Sequence, residues 1–314
     1  MKKMAYMFAG QNSERLGMLG DLYRESRVVR DTFAEASEVL RYDVAQVCFG
    51  EDSDFLHQAA VSAPIIVMAH VATYRHITDQ YKFKPSLMAG HSLGEYGALT
   101  CAGVLPFSDV LTLVTHRAKL ADRIAAEKAG VMTVVYQFPI SESEKICQAL
   151  RAEGRSVWIG CYNSHEQATI SGKAADITEL EWYVANKGGA YKRLMGKSSF
   201  HCPLLQDITD EFAEVIQGVE ICSPSIPVIS NYTVMPHTID NIYDNLIQHL
   251  VAPVRWQETI SYIKRQHVEL LIELGSGMIL TNLINQGDEE LQALSYEIDK
   301  AQINEMDLRQ VVGQ

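Results

Sequence analysis

The segment Gly90-His91-Ser92-Leu93-Gly94-Glu95 constrains this chain more than any other. It follows an apolar run, Ser86-Leu87-Met88-Ala89, and precedes a small-residue run, Tyr96-Gly97-Ala98-Leu99-Thr100-Cys101-Ala102, that reads as a helix. G-x-S-x-G also occurs by chance in many glycine-containing loops. Between a strand and a helix it has the context of a nucleophile elbow. In so sharp a turn, Gly90 and Gly94 stand where a Cβ would clash, and Ser92 projects from the apex. The following helix aims its first amides, beginning near Leu93, at any oxyanion formed on an attacked carbonyl.

A chain of 314 residues can bury the core that such a turn needs, as one large domain or two modest ones. Hydrophobic residues make up 47% and charged residues 21%, the balance of a globular protein. No apolar run approaches membrane-spanning length, and Met1–Ala9 is too short for a signal segment. That stretch reads as a first buried strand, and the cytoplasm is the expected location. The formal charge of −12 argues against a nucleic-acid partner. Lys187, Lys192, Arg193 and Lys197 form the one notable basic cluster, read as a solvated face. Cys48, Cys101, Cys147, Cys161, Cys202 and Cys222 include no C-x-x-C pair. They are read as free thiols, not a disulfide framework or a metal site. Cys202 beside His201 lacks an elbow and reads as core filler.

Hydrophobic periodicity predicts helices over 27–40 and 64–80, the second with Pro64 in its first turn. Ser108-Asp109 can cap a long helix that ends at Gly130. From about 130 to 197 the rhythm changes: strands at 131–138, 157–162, 168–171 and 190–195, with helices at 141–151 and 174–186. This β-α-β-β-α-β order is the split βαβ of ferredoxin-like folds. It implies a small subdomain (129–197) inserted into a larger α/β core (1–128 and 198–314). Further on, 204–217, 240–250 and 256–266 read as helices, and 226–230 and 269–273 as strands. The segment after Asn285 is polar and reads in part as a tail.

A serine hydroxyl needs a base. Of the ten histidines, His91 adjoins Ser92, but neighbours at a sharp turn diverge in space. His201 lies before Pro203 where the chain returns from the insert, placed to reach over the elbow; the residues alone favour it only modestly over the other nine. Arg117 sits among Leu113, Val114 and Leu120 on the long helix. A guanidinium buried there either pairs internally or waits for an anionic substrate group.

Several segments together resemble the malonyl-CoA:acyl carrier protein transacylase family. They are Gly10-Gln11-Asn12-Ser13, Gly90–Tyr96, His116-Arg117-Ala118-Lys119, Phe200-His201, Pro227–Asn231, Pro253-Val254-Arg255-Trp256 and Glu273–Gly277. They run in order from Tyr6 to about Leu283 with family-like spacing. The resemblance implies a hydrolase-like parallel-sheet core with the inserted ferredoxin-like subdomain. It also implies Ser92 as nucleophile and His201 as base and later acid. The backbone amides of Gln11 and Leu93 would form the oxyanion hole, and Arg117 would grip the malonyl carboxylate. His91, Asn231 and Phe200 would lie at the substrate. The expected substrate is malonyl-CoA and the partner an acyl carrier protein with its phosphopantetheine arm. No cofactor or metal is implied, and a monomer is expected.

The chain departs from the family pattern in two places. Ala9-Gly10-Gln11-Asn12-Ser13-Glu14 stands where Pro-Gly-Gln-Gly-Ser-Gln is usual. His249 stands where Gln or Asn is typical, in a position that could orient His201. Phe200 resembles the bulky residue of malonyl-selecting members. The loop sequences resemble discrete acyltransferases that serve polyketide synthases, and a fatty-acid role stays open beside that one. Two rivals are a hydrolase of the same family that clears acyl groups from carrier proteins, and a non-catalytic carrier-binding subunit.

Overall fold

The computed structural model describes residues 3–82, 84–194, 198–287 and 290–312. Its strands are β1 (Met4–Phe8), β2 (Leu87–Gly90), β3 (Gly130–Tyr136), β4 (Val157–Ser164), β5 (Gln167–Lys173), β6 (Ala190–Arg193), β7 (Val228–Ile229), β8 (Leu270–Leu274) and β9 (Gln292–Ser295). They form two sheets, a parallel one in the order β7-β2-β1-β8-β9 and an antiparallel one in the order β4-β5-β3-β6.

β1 and β8 are buried along their whole length, as central strands of a parallel sheet covered on both faces must be. The two-residue side-chain period divides β1 between two cores. Met4, Tyr6 and Phe8 join the cluster under the helix Ala59–Gln80. Ala5 and Met7 join Trp256, Ile260 and Ile263 of the helix Trp256–Arg265, with Leu280 and Ile284 of the helix Ile279–Gly287.

The antiparallel sheet alternates likewise. Val135, Val157, Ile159, Ala168 and Ile170 pack on the helices Ile140–Ala152 and Ala174–Asn186. Met132, Val134, Cys161, Asn163 and Thr169 point the other way, into a cavity that the elbow also lines. The element order over 130–193 is the expected βαββαβ.

Some local expectations shift. The helix expected from Pro64 begins at Ala59 and carries Pro64 inside it. Val61, Ser62 and Ala63 are buried, so tertiary packing outweighs the hydrogen bond that proline removes. The helix expected over 204–217 is a 3₁₀ segment (Pro203–Ile208) followed by an α-helix (Thr209–Gln217). The polar segment after Asn285 is structured: β9 extends the parallel sheet, and a helix spans Lys300–Val312. In the basic cluster, Lys187 pairs with Glu142 and Arg193 with Glu181, while Lys197, like Met195 at the end of the expected last strand, lies outside the described residues.

Candidate active site

The elbow is built as its glycines demand. A Cβ on Gly90 would come 2.0 Å from the Gly94 carbonyl carbon, and one on Gly94 would come 2.0 Å from the Phe8 oxygen. Ser92 sits at φ 52°, in the left-handed region that non-glycine residues rarely occupy. Asn231 braces this turn. Its Oδ1 accepts the Ser92 backbone N–H at 2.7 Å and its Nδ2 donates to the Gly90 carbonyl at 2.6 Å. The Asn231 backbone N–H in turn donates to Glu95 Oε2 at 2.9 Å, and Glu95 Oε1 meets His237 Nε2 at 2.7 Å, with both side chains fully buried.

His201 reaches the apex from the segment that leaves the antiparallel sheet. Its Nε2 lies 2.6 Å from Ser92 Oγ, and its Nδ1–H donates to the His249 backbone carbonyl at 2.8 Å. That carbonyl is an acceptor only, so the proton resides on Nδ1 and Nε2 is left as the acceptor facing the serine. Burial, reinforced by the nearby Arg117 charge, pushes the His201 pKa down to about 3. The return segment is anchored by Ser171 Oγ, which donates to the Phe200 carbonyl at 2.6 Å. His249 therefore meets His201 through its main chain. Its ring packs 4.9 Å from the His201 ring, and neither ring nitrogen has a hydrogen-bond partner.

Arg117 is 2% exposed, and its Nε and Nη2 have no hydrogen-bond partner. Its guanidinium carbon lies 4.1 Å from the Phe200 ring centroid and 5.5 Å from that of Tyr96. Ring faces offer cation–π attraction but no lone pairs for N–H donors. Burial lowers its pKa, although Tyr96 and Glu95 oppose the shift. Of the two fates open to a buried arginine, internal pairing with a carboxylate is not the one observed.

The cavity measures about 300 Å³ and is lined by Ser92, His201, His91, Phe200 and Gln11 on the elbow side. Among the described residues, neither the Gln11 nor the Leu93 backbone N–H has an acceptor, which leaves both amides free for a ligand. Asn12 takes φ 72°, a conformation asparagine tolerates, so the loop keeps its turn without the usual glycine. His91 Nε2 lies 2.9 Å from Asn163 Oδ1. Asn163 Nδ2 donates to Thr169 Oγ1 and Gln167 Oε1, so Asn163 offers His91 an oxygen, and His91 carries its proton on Nε2.

The structure thus brings Ser92, His201, His91, Phe200 and Gln11 to one cavity, with Arg117 against Phe200, while Leu93, next to Ser92 in the chain, is buried and not among the described lining residues. Asn231 sits behind the elbow, and both ends of its amide are taken by backbone. Glu95, His237 and Asn163 were not expected from the sequence. Glu95 belongs to the elbow motif, but its partner His237 lies in a loop that carries no signal of its own. Among the described residues, no cluster of His, Cys, Asp and Glu could hold a metal ion. Cys202 is buried and its thiol is pushed up to about 12 by burial, so it is a poor nucleophile.

A serine elbow on a parallel sheet, a histidine held by a main-chain carbonyl and a cavity walled by an inserted antiparallel sheet define an acyl-transferring class. Residues 5–313 match the acyl transferase domain family, and the chain belongs to it. It is similar to the malonyl CoA-acyl carrier protein transacylase of Haemophilus influenzae, at 35% identity over 97% of this chain and 98% of that protein. It is also similar to the solved malonyl CoA-acyl carrier protein transacylase of Coxiella burnetii, with a TM-score of 0.93 and 34% identity over 98% of each chain. A malonyl-transacylase solved in complex with its type II polyketide synthase acyl carrier protein superposes with a TM-score of 0.92, at 34% identity over 96% of this chain and 98% of that one.

Proposed function

We propose that the protein transfers a malonyl group from malonyl-CoA to the phosphopantetheine thiol of an acyl carrier protein, through an ester on Ser92. His201 Nε2 takes the Ser92 proton as Oγ attacks the thioester carbon. The Gln11 and Leu93 amides hold the tetrahedral oxyanion. The intermediate collapses, the C–S bond breaks, and CoA leaves as the thiol with the proton from His201. In the second half His201 takes the proton of the carrier thiol, whose sulfur attacks the malonyl-serine carbonyl. Ser92 recovers its proton as the ester bond breaks.

Arg117 is the observation that carries this reading. A buried cation with unpartnered N–H groups beside a serine–histidine pair is costly unless a ligand brings an anion. A malonyl carboxylate supplies one, and a neutral acyl group does not. A hydrolase that clears neutral acyl groups would have no use for this cation. Chemistry at Ser92 needs no cofactor beyond the substrate's own thioester.

The reading also has the protein act in the cytoplasm as a monomer; among the described residues no helix is long and apolar enough to cross a membrane. Light scattering after gel filtration checks the monomer. Intact-protein mass spectrometry with a panel of acyl-CoAs tests the function. Malonyl-CoA should add one malonyl mass at Ser92, and holo-carrier protein should discharge it. Rapid hydrolysis of acetyl-carrier protein without malonyl transfer would overturn the reading in favour of the hydrolase.

A further inference from the structure

Glu14 lines the same cavity, and its side chain is only 3% exposed. Its Oε1 lies 3.3 Å from His57 Nδ1, while Oε2 is buried with no hydrogen-bond partner. Among the described lining residues it is the only carboxyl, and none of those residues is a lysine or an arginine. A carboxylate oxygen shut away from both water and protein donors is costly to maintain. The terminal torsion of a glutamate is soft, so a small rotation can turn that oxygen toward a ligand.

An ionised carboxylate can only accept hydrogen bonds. Burial raises the Glu14 pKa, with His57 and nearby backbone N–H groups opposing the shift; in its charged form the side chain also repels the malonyl carboxylate, which leaves that group to Arg117 and the rest of the thioester to the remainder of the cavity. The remainder of a malonyl-CoA or carrier-bound substrate is the pantetheine arm, whose two amides supply N–H donors. We infer that Glu14 Oε2 accepts an amide N–H of the pantetheine arm and so helps set the direction in which thioesters enter. This rests on the acylation of Ser92 by malonyl-CoA proposed above.

The test compares malonyl-CoA with the malonyl S-ethyl thioester, which has the same reacting group and no amide. Wild-type acylation of Ser92 by malonyl-CoA is measured first; its failure would sink the proposed function and not this assignment. Glu14→Ala should then lose about tenfold or more in kcat/KM for malonyl-CoA, mainly through KM, with the S-ethyl thioester unaffected within twofold. Glu14→Gln keeps an acceptor oxygen and should retain most of the wild-type value. An equal loss on both thioesters would mark Glu14 as merely structural, and no loss on malonyl-CoA would leave the arm without this contact. Either outcome overturns the assignment.

Discussion

Asn231 Oδ1 accepts the backbone N–H of Ser92 at 2.7 Å while Asn231 Nδ2 donates to the Gly90 carbonyl at 2.6 Å, so one amide side chain spans the elbow from behind. Ser92 holds a left-handed backbone that few non-glycine residues adopt, and this clamp offsets part of the strain. Asn231→Ala should lower the rate of Ser92 malonylation by about 10- to 100-fold, since it leaves two backbone groups unpaired and the serine less well aimed. Stopped-flow acylation followed by mass spectrometry checks this. An unchanged rate in a folded variant would return Asn231 to a purely structural role.

Arg117 should decide which acyl group is loaded. In Arg117→Ala, malonyl loading should fall by about 100-fold or more while acetyl or longer neutral acyl loading rises. Competition between malonyl-CoA and acetyl-CoA, read as the ratio of masses added at Ser92, measures it. Unchanged malonyl kinetics would remove Arg117 from the specificity machinery.

His249 touches His201 through a main-chain carbonyl at 2.8 Å, so its side chain should be replaceable where its backbone is not. His249→Gln should keep kcat within about threefold, whereas His201→Ala should cost about 10³-fold or more. Steady-state transfer to holo-carrier protein distinguishes them. A comparable loss in both variants would show that the His249 ring itself acts on the base.

The pH dependence follows from burial of His201, whose pKa is held at about 3, below the ordinary histidine value of about 6.5. Nε2 of the free enzyme therefore stays unprotonated as pH falls through the usual imidazole range. The acid limb of kcat/KM for malonyl-CoA should lie clearly below pH 6. A limb centred near the ordinary histidine value would contradict the observed burial.

Stability should respond in the same window. His70 is fully enclosed, both its ring nitrogens lack partners, and its pKa is likewise lowered to about 3 by burial. Each of these histidines binds a proton more readily unfolded than folded. Their stabilising contribution is complete above the unfolded value and is lost as pH falls from there toward the folded one. Melting temperature should decline progressively from about pH 6.5 downward. A flat profile between pH 7 and 5 would count against buried neutral histidines.

The elbow was legible because its requirements are local: two glycines, a serine, a strand before and a helix after. The βαββαβ insert was legible because strand and helix periodicities alternate within a short span. The pairs Glu95–His237, His91–Asn163 and Glu14–His57 join residues 43 to 142 positions apart, and nothing in either partner's neighbourhood announces the other. The segment after Asn285 misled because β9 is four residues long and gains its place by pairing with β8, an influence that composition does not carry. The resemblance had set Asn231 at the substrate; its two backbone contacts place it behind the nucleophile.

The cavity draws its walls from two units with separate cores. The strand that holds up Ser92 is packed on one side of it, and Met132, Val134 and Thr169 of the antiparallel sheet face it from the other. Val134 can change in size without disturbing the helices behind that sheet, whereas Thr169 is tied to the elbow through Asn163 and His91, and Met132 packs on the core that carries Leu93 and Phe200. Reshaping the chamber for a different cargo and preserving the chemistry that loads it are, in this architecture, evolutionary problems that meet only at a few shared positions such as Thr169 and Met132.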